Sequence, residues 1–224
     1  MSMQADILQM GFLLYYQNPG GKSNPACRLT FSSGLATIAP EELIILLTYE
    51  RPRGIAQWAQ VYRLYQKAFP SSEKKPFSII LKKYRQGVTD IWRFTREGKF
   101  AGLIITINGV ENILLDYLAV EEGQRGTGIG SEILVLMRKH YGGKGVFLEI
   151  ESVYEECDNQ AQRLQRKHFY EKCGMKSMDV FVWLFGVKME LMGFDCCLSF
   201  EEYHSFYRDN YGPWAADHVK PAEK

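Results

Sequence analysis

The amino-acid sequence predicts an α/β fold of the α+β kind, in which a sheet that begins as an antiparallel meander is flanked by helices. Three strand-length apolar patterns follow one another at 89–95, 100–107 and 113–120 with only short turns between them. A glycine-rich loop at 123–130 then runs straight into a helical stripe, and a strand, a helix and a further pair of strands come after it. A chain of 224 residues is long enough to fill one well-buried core and short for two, so one domain is expected.

Residues 1–42 carry turn signals (NPGG at 18–21, SNP at 23–25, SSG at 32–34) spaced so closely that only short or irregular structure fits between them, and they read as an N-terminal extension. Leu43-Ile-Ile-Leu-Leu-Thr-Tyr49 is a β-branched and aliphatic run of strand length, closed by Arg51-Pro52. A helix over about 54–69 sets Ile55, Trp58, Val61, Tyr62, Tyr65 and Phe69 at spacings of three or four as one apolar stripe, and Pro70-Ser-Ser stops it. A second helix, about 75–86, turns Phe77, Ile80, Leu81 and Tyr84 inward. REGK at 96–99 is a short turn that suits a hairpin, and Asn108-Gly109 marks the next turn.

Beyond the glycine loop, Ile129, Ile133, Leu134, Leu136 and Met137 line one face of a helix that ends near His140-Tyr-Gly-Gly143. Residues 146–151 form a strand, 160–172 a helix stopped by Gly174, and 180–185 with 187–191 a hairpin about Gly186. Ser199-Phe-Glu-Glu202 has capping-box spacing and opens a last helix through about Asp209. The aromatics Phe200, Tyr203, Phe206, Tyr207 and Trp214 suit cover for the domain or a homodimer contact, cover being the simpler reading. The main domain is placed at 43–193, with 194–224 a C-terminal helix and tail packed on it.

A net charge of +1 offers no bulk field for nucleic acid or an acidic membrane, so any anion site must be local. The aromatics stand at core periodicity rather than interleaved with a basic stripe, and no nucleic-acid partner is expected. The first residues lack a basic leader, and FLLYY at 12–16 is too short for a signal or a membrane span, so a cytoplasmic protein with no membrane partner is expected. The cysteines at 27, 157, 173, 196 and 197 lack ligand spacing and read as reduced thiols. Histidines 140, 168, 204 and 218 form neither HxxxH nor HExxH, and no metal is expected.

The loop Arg125-Gly-Thr-Gly-Ile-Gly130 admits three phosphate-cradling readings. A Walker loop needs Lys followed by Ser or Thr after its last glycine, and none follows here. A dinucleotide fingerprint needs a third glycine where Ser131 stands, and needs a βαβ opening where a meander is expected. What fits is strand, R-x-x-G-x-G loop and helix, a backbone that can approach an anion with bare N–H groups and a positive helix end. A plain flexible turn before a helix is the bland alternative.

At this point the sequence resembles the GNAT superfamily of acyl-CoA-dependent N-acyltransferases. The likeness spans about 43–192 in the order of elements. It is strongest in LLDYLAVEEGQRGTGIGS at 114–131, similar to the family's pyrophosphate-binding motif, and in HFYEKCGM at 168–175, similar to its F-Y-x-K-x-G-F segment with Met175 in place of an aromatic. The resemblance implies a mixed, mostly antiparallel sheet splayed at its central strands, with acetyl-CoA as co-substrate in the opening. The backbone of Leu118, Ala119 and Val120 would pair with the pantetheine arm. Arg125, Gly126, Thr127, Gly128, Ile129 and Gly130 would bind the pyrophosphate, the glycines because a side chain there would hold the phosphate away.

The implied reaction is direct attack of a primary amine, small-molecule or peptide, on the acetyl thioester through a tetrahedral intermediate. A main-chain N–H near Leu118 would serve the oxyanion, a donor whose loss typically costs on the order of 3 kcal/mol of barrier. Tyr170 stands where the family commonly has its general acid, and a phenol is protonated at neutral pH; alternatively it only anchors its helix. Glu149 and Glu151 emerge on one face of their strand, and Glu149 matches a glutamate that acts as base in some members, unless this face simply borders solvent at the splayed edge. Glu149 is the choice for the base, Glu151 or a water chain staying open and Asp116 a lesser candidate.

Arg163 stands where the family usually has asparagine. With Arg166 and Lys167 it suggests a solvated basic face, or cations for an adenosine 3′-phosphate. The acidic connection with Glu155, Glu156 and Asp158 would favour a cationic amine if it lies near the mouth. Cys173, without a placed histidine, is not offered as a nucleophile. The competing reading is a non-catalytic acyl-CoA-binding or interaction module, and a nucleotide-binding protein is a lesser one.

Overall fold

The computed structural model of the chain describes residues 47–71 and 73–224. The expected N-terminal extension, and residues 43–46 of the expected first strand, lie outside the described residues. In chain order the elements are β1 (Leu47–Glu50), α1 (Gly54–Ala68), α2 (Phe77–Arg85), β2 (Thr89–Arg96), β3 (Lys99–Asn108), β4 (Asn112–Val120), α3 (Ile129–His140), β5 (Gly145–Glu151), α4 (Gln160–Lys172), β6 (Lys176–Leu184), β7 (Val187–Phe194), α5 (Phe200–Tyr211), α6 (Pro213–Ala216) and β8 (Val219–Ala222). The eight strands form one sheet in the order β1-β2-β3-β4-β5-β7-β6-β8. β4 and β5 run parallel, and every other ladder is antiparallel. Among the described residues no helix is long and apolar enough to cross a membrane.

Helices cover both faces of this sheet. α3 and α4 close one face over a cluster that includes Leu118, Ile133, Leu148, Tyr170 and Phe194. α1 and α2 cover the β3–β4 side of the other face, where Val61, Leu64 and Tyr65 meet Leu103 and Tyr117. α5 and α6 cover its β5–β6 side through Tyr203, Tyr207 and Ala215. The stripe expected on α1 is turned by part of a helical step. Val61, Leu64, Tyr65 and Ala68 are its buried residues, at spacings of three, four and seven, while Ile55 is 90% exposed and Tyr62 48% exposed. α2 begins only at Phe77, with Pro76 in the cap position, because proline cannot donate within a helix and fits its edge.

Two features shape the centre of the sheet. β4 and β5 pair only over Asn112, Ile113 and Leu114 against Gly145, Val146 and Phe147, and then part. On its other side β4 carries a bulge: Ile105 faces Tyr117 and Thr106 faces Leu115, which leaves Asp116 as the extra residue. A bulge bends its strand and increases the local twist, which is the distortion needed to swing the end of β4 away from β5.

β6 starts four residues before the expected point. Its register shift between Ser177 and Phe181, with Asp179 at φ +54°, breaks the alternation by which a strand is read. α6 and β8 were not anticipated. β8 holds Pro221, a residue that argues against a strand except at a sheet edge, and an edge is where β8 lies. α5 starts as the capping box implies: the Ser199 hydroxyl accepts from the Glu202 amide and the Glu202 carboxylate accepts from the Ser199 amide. Ser199→Ala is therefore expected to lower stability by about 1 kcal/mol, read as a lower urea midpoint at unchanged slope.

Candidate active site

The parting of β4 from β5 opens a cleft of about 540 Å³ on the α3–α4 face. One wall is β4, through Leu118, Ala119 and Val120; the next is the loop and the start of α3, through Arg125, Gly126, Gly128, Ile129 and Gly130; the third is α4, through Gln162, Gln165, Arg166, Phe169 and Lys172. Eight of the nine residues expected at a cofactor are thus gathered on one cleft. The ninth, Thr127, is not among its walls; its hydroxyl donates to the Gln124 carbonyl at 2.7 Å and ties the loop to the turn before it.

Each wall has a local cause. Gly126 and Gly128 sit at φ +76° and +87°, a conformation side chains resist. Gly128 is the N-cap of α3 and supplies no side-chain cap, so the N–H groups of the first turn are left for an anion. Gly130 is constrained differently: a Cβ there would stand 3.2 Å from the Phe169 ring, so this glycine lets α3 close on α4. Arg125 donates through Nε to the Val120 carbonyl at 3.1 Å and so folds over the end of β4. Beyond Leu114 the β5-facing edge of β4 has no strand partner among the described residues, which leaves main-chain groups for an extended ligand.

Tyr170 does not itself line the cleft. It lies beneath, buried in one apolar cluster with Leu118, Val120 and Ile129, and its hydroxyl has no hydrogen-bond partner among the described residues. Burial pushes its phenol well up, with Arg166 pulling the other way, so it is protonated at neutral pH.

Glu149 does not border solvent. It is 0% exposed, and its Oε1 accepts hydrogen bonds from the hydroxyls of Tyr203 at 2.7 Å and Tyr207 at 2.8 Å, while Oε2 has no partner. Burial pushes its carboxyl up to about 7 against the opposing pull of the two phenols. Nearby, Asp116 is paired with the Lys75 ammonium at 2.6 Å, which also donates to the Tyr211 hydroxyl. α5 thus presents Tyr203, Tyr207 and Tyr211 one turn apart, and a sequence reading sees such a row only as aromatic cover.

The basic run of α4 is neither solvated nor free for a phosphate. Arg163 and Arg166 both pair with Glu151, at 2.9 and 3.2 Å, and Lys167 pairs with the buried Glu190 at 2.8 Å. Of the α4 wall the sequence reading offered only Arg166 to the cofactor; Gln162, Gln165, Phe169 and Lys172, which recur at helical spacing, escaped it. None of Glu155, Glu156 and Asp158 is among the cleft's walls; Glu155 pairs with Lys188. The Cys173 thiol touches the Ser131 hydroxyl at 3.4 Å, and burial raises it, which suits packing rather than attack.

The family model for the acetyltransferase (GNAT) family matches residues 58–175, more than half of the chain. The protein belongs to the GNAT family. Among solved structures, a GNAT-family protein from Bacteroides thetaiotaomicron is similar with 18% identity and a TM-score of 0.60, over 75% of this chain and 99% of that one. An aminoglycoside 6′-N-acetyltransferase complexed with coenzyme A is similar with 17% identity and a TM-score of 0.54, over 66% and 96%. An acetyltransferase from Bacillus subtilis in complex with CoA follows with 15% identity and a TM-score of 0.50, over 67% and 99%. No curated protein sequence matches the chain. At these identities the structures support the GNAT fold, with its mixed sheet and, among the described residues, one parallel pair.

Two expectations follow from the geometry. Gly128→Val is expected to abolish CoA binding, because it breaks both the left-handed cap and the access to main-chain N–H groups, while Arg125→Ala only weakens it; calorimetric titration with CoA would show equal losses if the side chain, not the backbone, held the phosphates. Glu149 adds a pH dependence. Its folded-state carboxyl is raised from 4.5 to about 7, so the folded state holds the extra proton and stability falls as pH rises through that window. Glu149→Gln is expected to flatten this fall in chemical denaturation at pH 5, 6, 7 and 8.

Proposed function

We propose that this GNAT-family protein is an N-acetyltransferase that moves an acetyl group from acetyl-CoA to a primary amine by direct attack. The observation that carries the reading is the convergence on one cleft of an uncapped helix N-terminus, two glycines in left-handed conformation and an unpaired strand edge. These fit a diphosphate followed by an extended arm: the α3 N-terminus and Arg125 would hold the diphosphate, and the β4 edge at Leu118–Val120 the arm. Acetyl-CoA supplies the activated acyl group as a thioester.

The remaining work falls to side chains of this chain. Glu149 is the proposed base, its unpartnered Oε2 taking the amine's proton directly or through water. With its carboxyl near 7 it becomes competent only as pH rises past neutrality. Tyr170 is the proposed acid, protonated across that range. The main-chain N–H near Leu118 is the proposed oxyanion donor. The acceptor class is a small-molecule or peptide amine, and the aminoglycoside acetyltransferase among the similar folds supports an amine without identifying one.

One observation favours the second reading, an acyl-CoA-binding module without turnover: neither Tyr170 nor Glu149 is among the walls of the cleft. Free-thiol release from acetyl-CoA with polyamines, aminoglycosides and peptides separates the two. Release with any of them supports the transferase, and CoA binding without release across the panel supports the module. For the transferase, Tyr170→Phe is expected to lower kcat by about 10²-fold or more with CoA affinity unchanged, and Glu149→Gln to remove the rise of kcat with pH through neutrality.

A further inference from the structure

The mechanism above leaves one buried carboxylate unused. Glu73 lies in the segment joining α1 to α2, and three hydrogen bonds fasten that segment, one to Tyr65 of α1 and two to Tyr117 of β4. The Tyr65 hydroxyl donates to the Lys75 carbonyl at 2.8 Å, and the Tyr117 hydroxyl donates to the Glu73 carbonyl at 3.0 Å and accepts from the Lys75 amide at 3.1 Å. Tyr117 follows directly on the bulged Asp116, so the segment crosses the molecule where β4 turns away from β5.

Among the described residues no ion pair neutralises Glu73, and the Arg166 charge offsets its own only in part. It is 8% exposed, and its Oε2 is buried without a hydrogen-bond partner. The neighbouring Lys75 ammonium is committed to both oxygens of Asp116, at 2.8 and 2.6 Å, and to Tyr211. Charges felt at Glu73 come from across the gap: Glu151 on β5 and Arg166 on α4, and Arg166 is itself paired with Glu151. Arg166 also lines the cleft, as does Ala68 at the end of α1; Glu73 is not itself among the cleft's walls, but it lies within electrostatic reach of Arg166, which is. Burial first, then Glu151, pushes its carboxyl up to about 8.

Leaving a carboxylate buried and unpartnered costs free energy that an uncharged side chain would avoid. An arrangement of that kind, next to a residue of the cleft wall and beside a like charge, is what a site looks like when a ligand supplies the missing partner. We propose that Glu73 receives the ammonium group of the acceptor and seats it at the parting of β4 and β5, which selects for amines that arrive as cations. A primary ammonium carries three N–H donors, enough to satisfy Oε2 and still face the cleft. This assignment rests on the acetyltransferase reading and adds to it the residue that recognises the acceptor.

The test is steady-state kinetics of wild type and Glu73→Gln with spermidine, kanamycin and a lysine-containing peptide at saturating acetyl-CoA, and with acetyl-CoA varied at fixed amine. Expected in Glu73→Gln is a rise of about tenfold or more in KM for the amine that wild type uses, with KM for acetyl-CoA unchanged. The thermal midpoint should stay level, because the raised carboxyl of Glu73 already holds its proton at neutral pH without ligand and the substitution exchanges it for a neutral amide of the same shape, and this keeps a kinetic loss from being a folding loss. An unchanged amine KM, or amine and acetyl-CoA constants that rise together, overturns the assignment while leaving the transferase standing. Wild type that binds CoA and releases no thiol with any of the three amines overturns the transferase reading and the assignment with it.

Discussion

β4 and β5 hold to each other across three residue pairs and then separate, and the layout of the rest of the molecule depends on that separation. A parallel pair inside a sheet ordinarily continues as far as its strands do, since each lost pairing exposes an N–H and a C=O that must find other partners. Here the bulge at Asp116 turns the far end of β4, and the cost of unpaired backbone is accepted over residues 115–120. A gap in the middle of a sheet with helices on both faces becomes a passage, open on the α3–α4 face as the cleft and closed on the other by side chains.

The two ends of that passage are chemically unlike. On the α3–α4 face the walls combine main chain and small or neutral side chains, Ala119, Gly126, Gly128, Gly130 and Gln165 among them, with the cations Arg125, Arg166 and Lys172, which suits a long anionic ligand. On the other face and through the gap stand carboxylates: Asp116 from β4, Glu149 and Glu151 from β5, and Glu73 from the crossing segment. Strand alternation explains this. Phe147 and Glu149 point to the side opposite Leu148 and Ile150, which face α4's cluster, so Glu149 meets α5 behind the sheet, while Glu151 at the end of β5 is reached by Arg163 and Arg166 of α4.

The order of elements was legible in the sequence because strand and helix periods differ sharply where apolar patterns are long, as in β3, β4 and α3. The glycine loop before α3 was legible as a loop leading into a helix for a different reason: a run of glycines has few physical explanations, and the absent Lys-Ser or Lys-Thr removes one of them. Where reading failed, tertiary context decided. Ile55 matches the apolar period of α1 yet projects beyond the sheet, and β8 is four residues with a proline that become a strand only because the edge of β6 is available. Arg163, Arg166 and Lys167 look like a solvated face until β5 and β7 place Glu151 and Glu190 opposite them. Glu73 could not be singled out at all, since its significance lies in what fails to pair with it.

Compensation of the buried charges separates those that serve the fold from those that do not. Glu190 is fully buried and has both oxygens on the Lys167 ammonium at 2.8 Å; Asp116 is nearly as buried and has both on Lys75. Glu151 has one arginine on each oxygen. A fold that equips these three acids so fully has cations to hand, and α4 alone supplies three. Against that background, Glu149 with one oxygen on two phenols, and Glu73 with Oε2 on nothing, are departures that random packing would tend to relieve by a single substitution to an amide or a leucine. Glu149 lies on β5 beyond its last pair with β4, and Glu73 feels Glu151 of the same strand, so an incoming amine would find there an acceptor for its proton and one for its charge. The incomplete pairing therefore reads as capacity reserved for a ligand at the one place where the sheet has been opened to admit it.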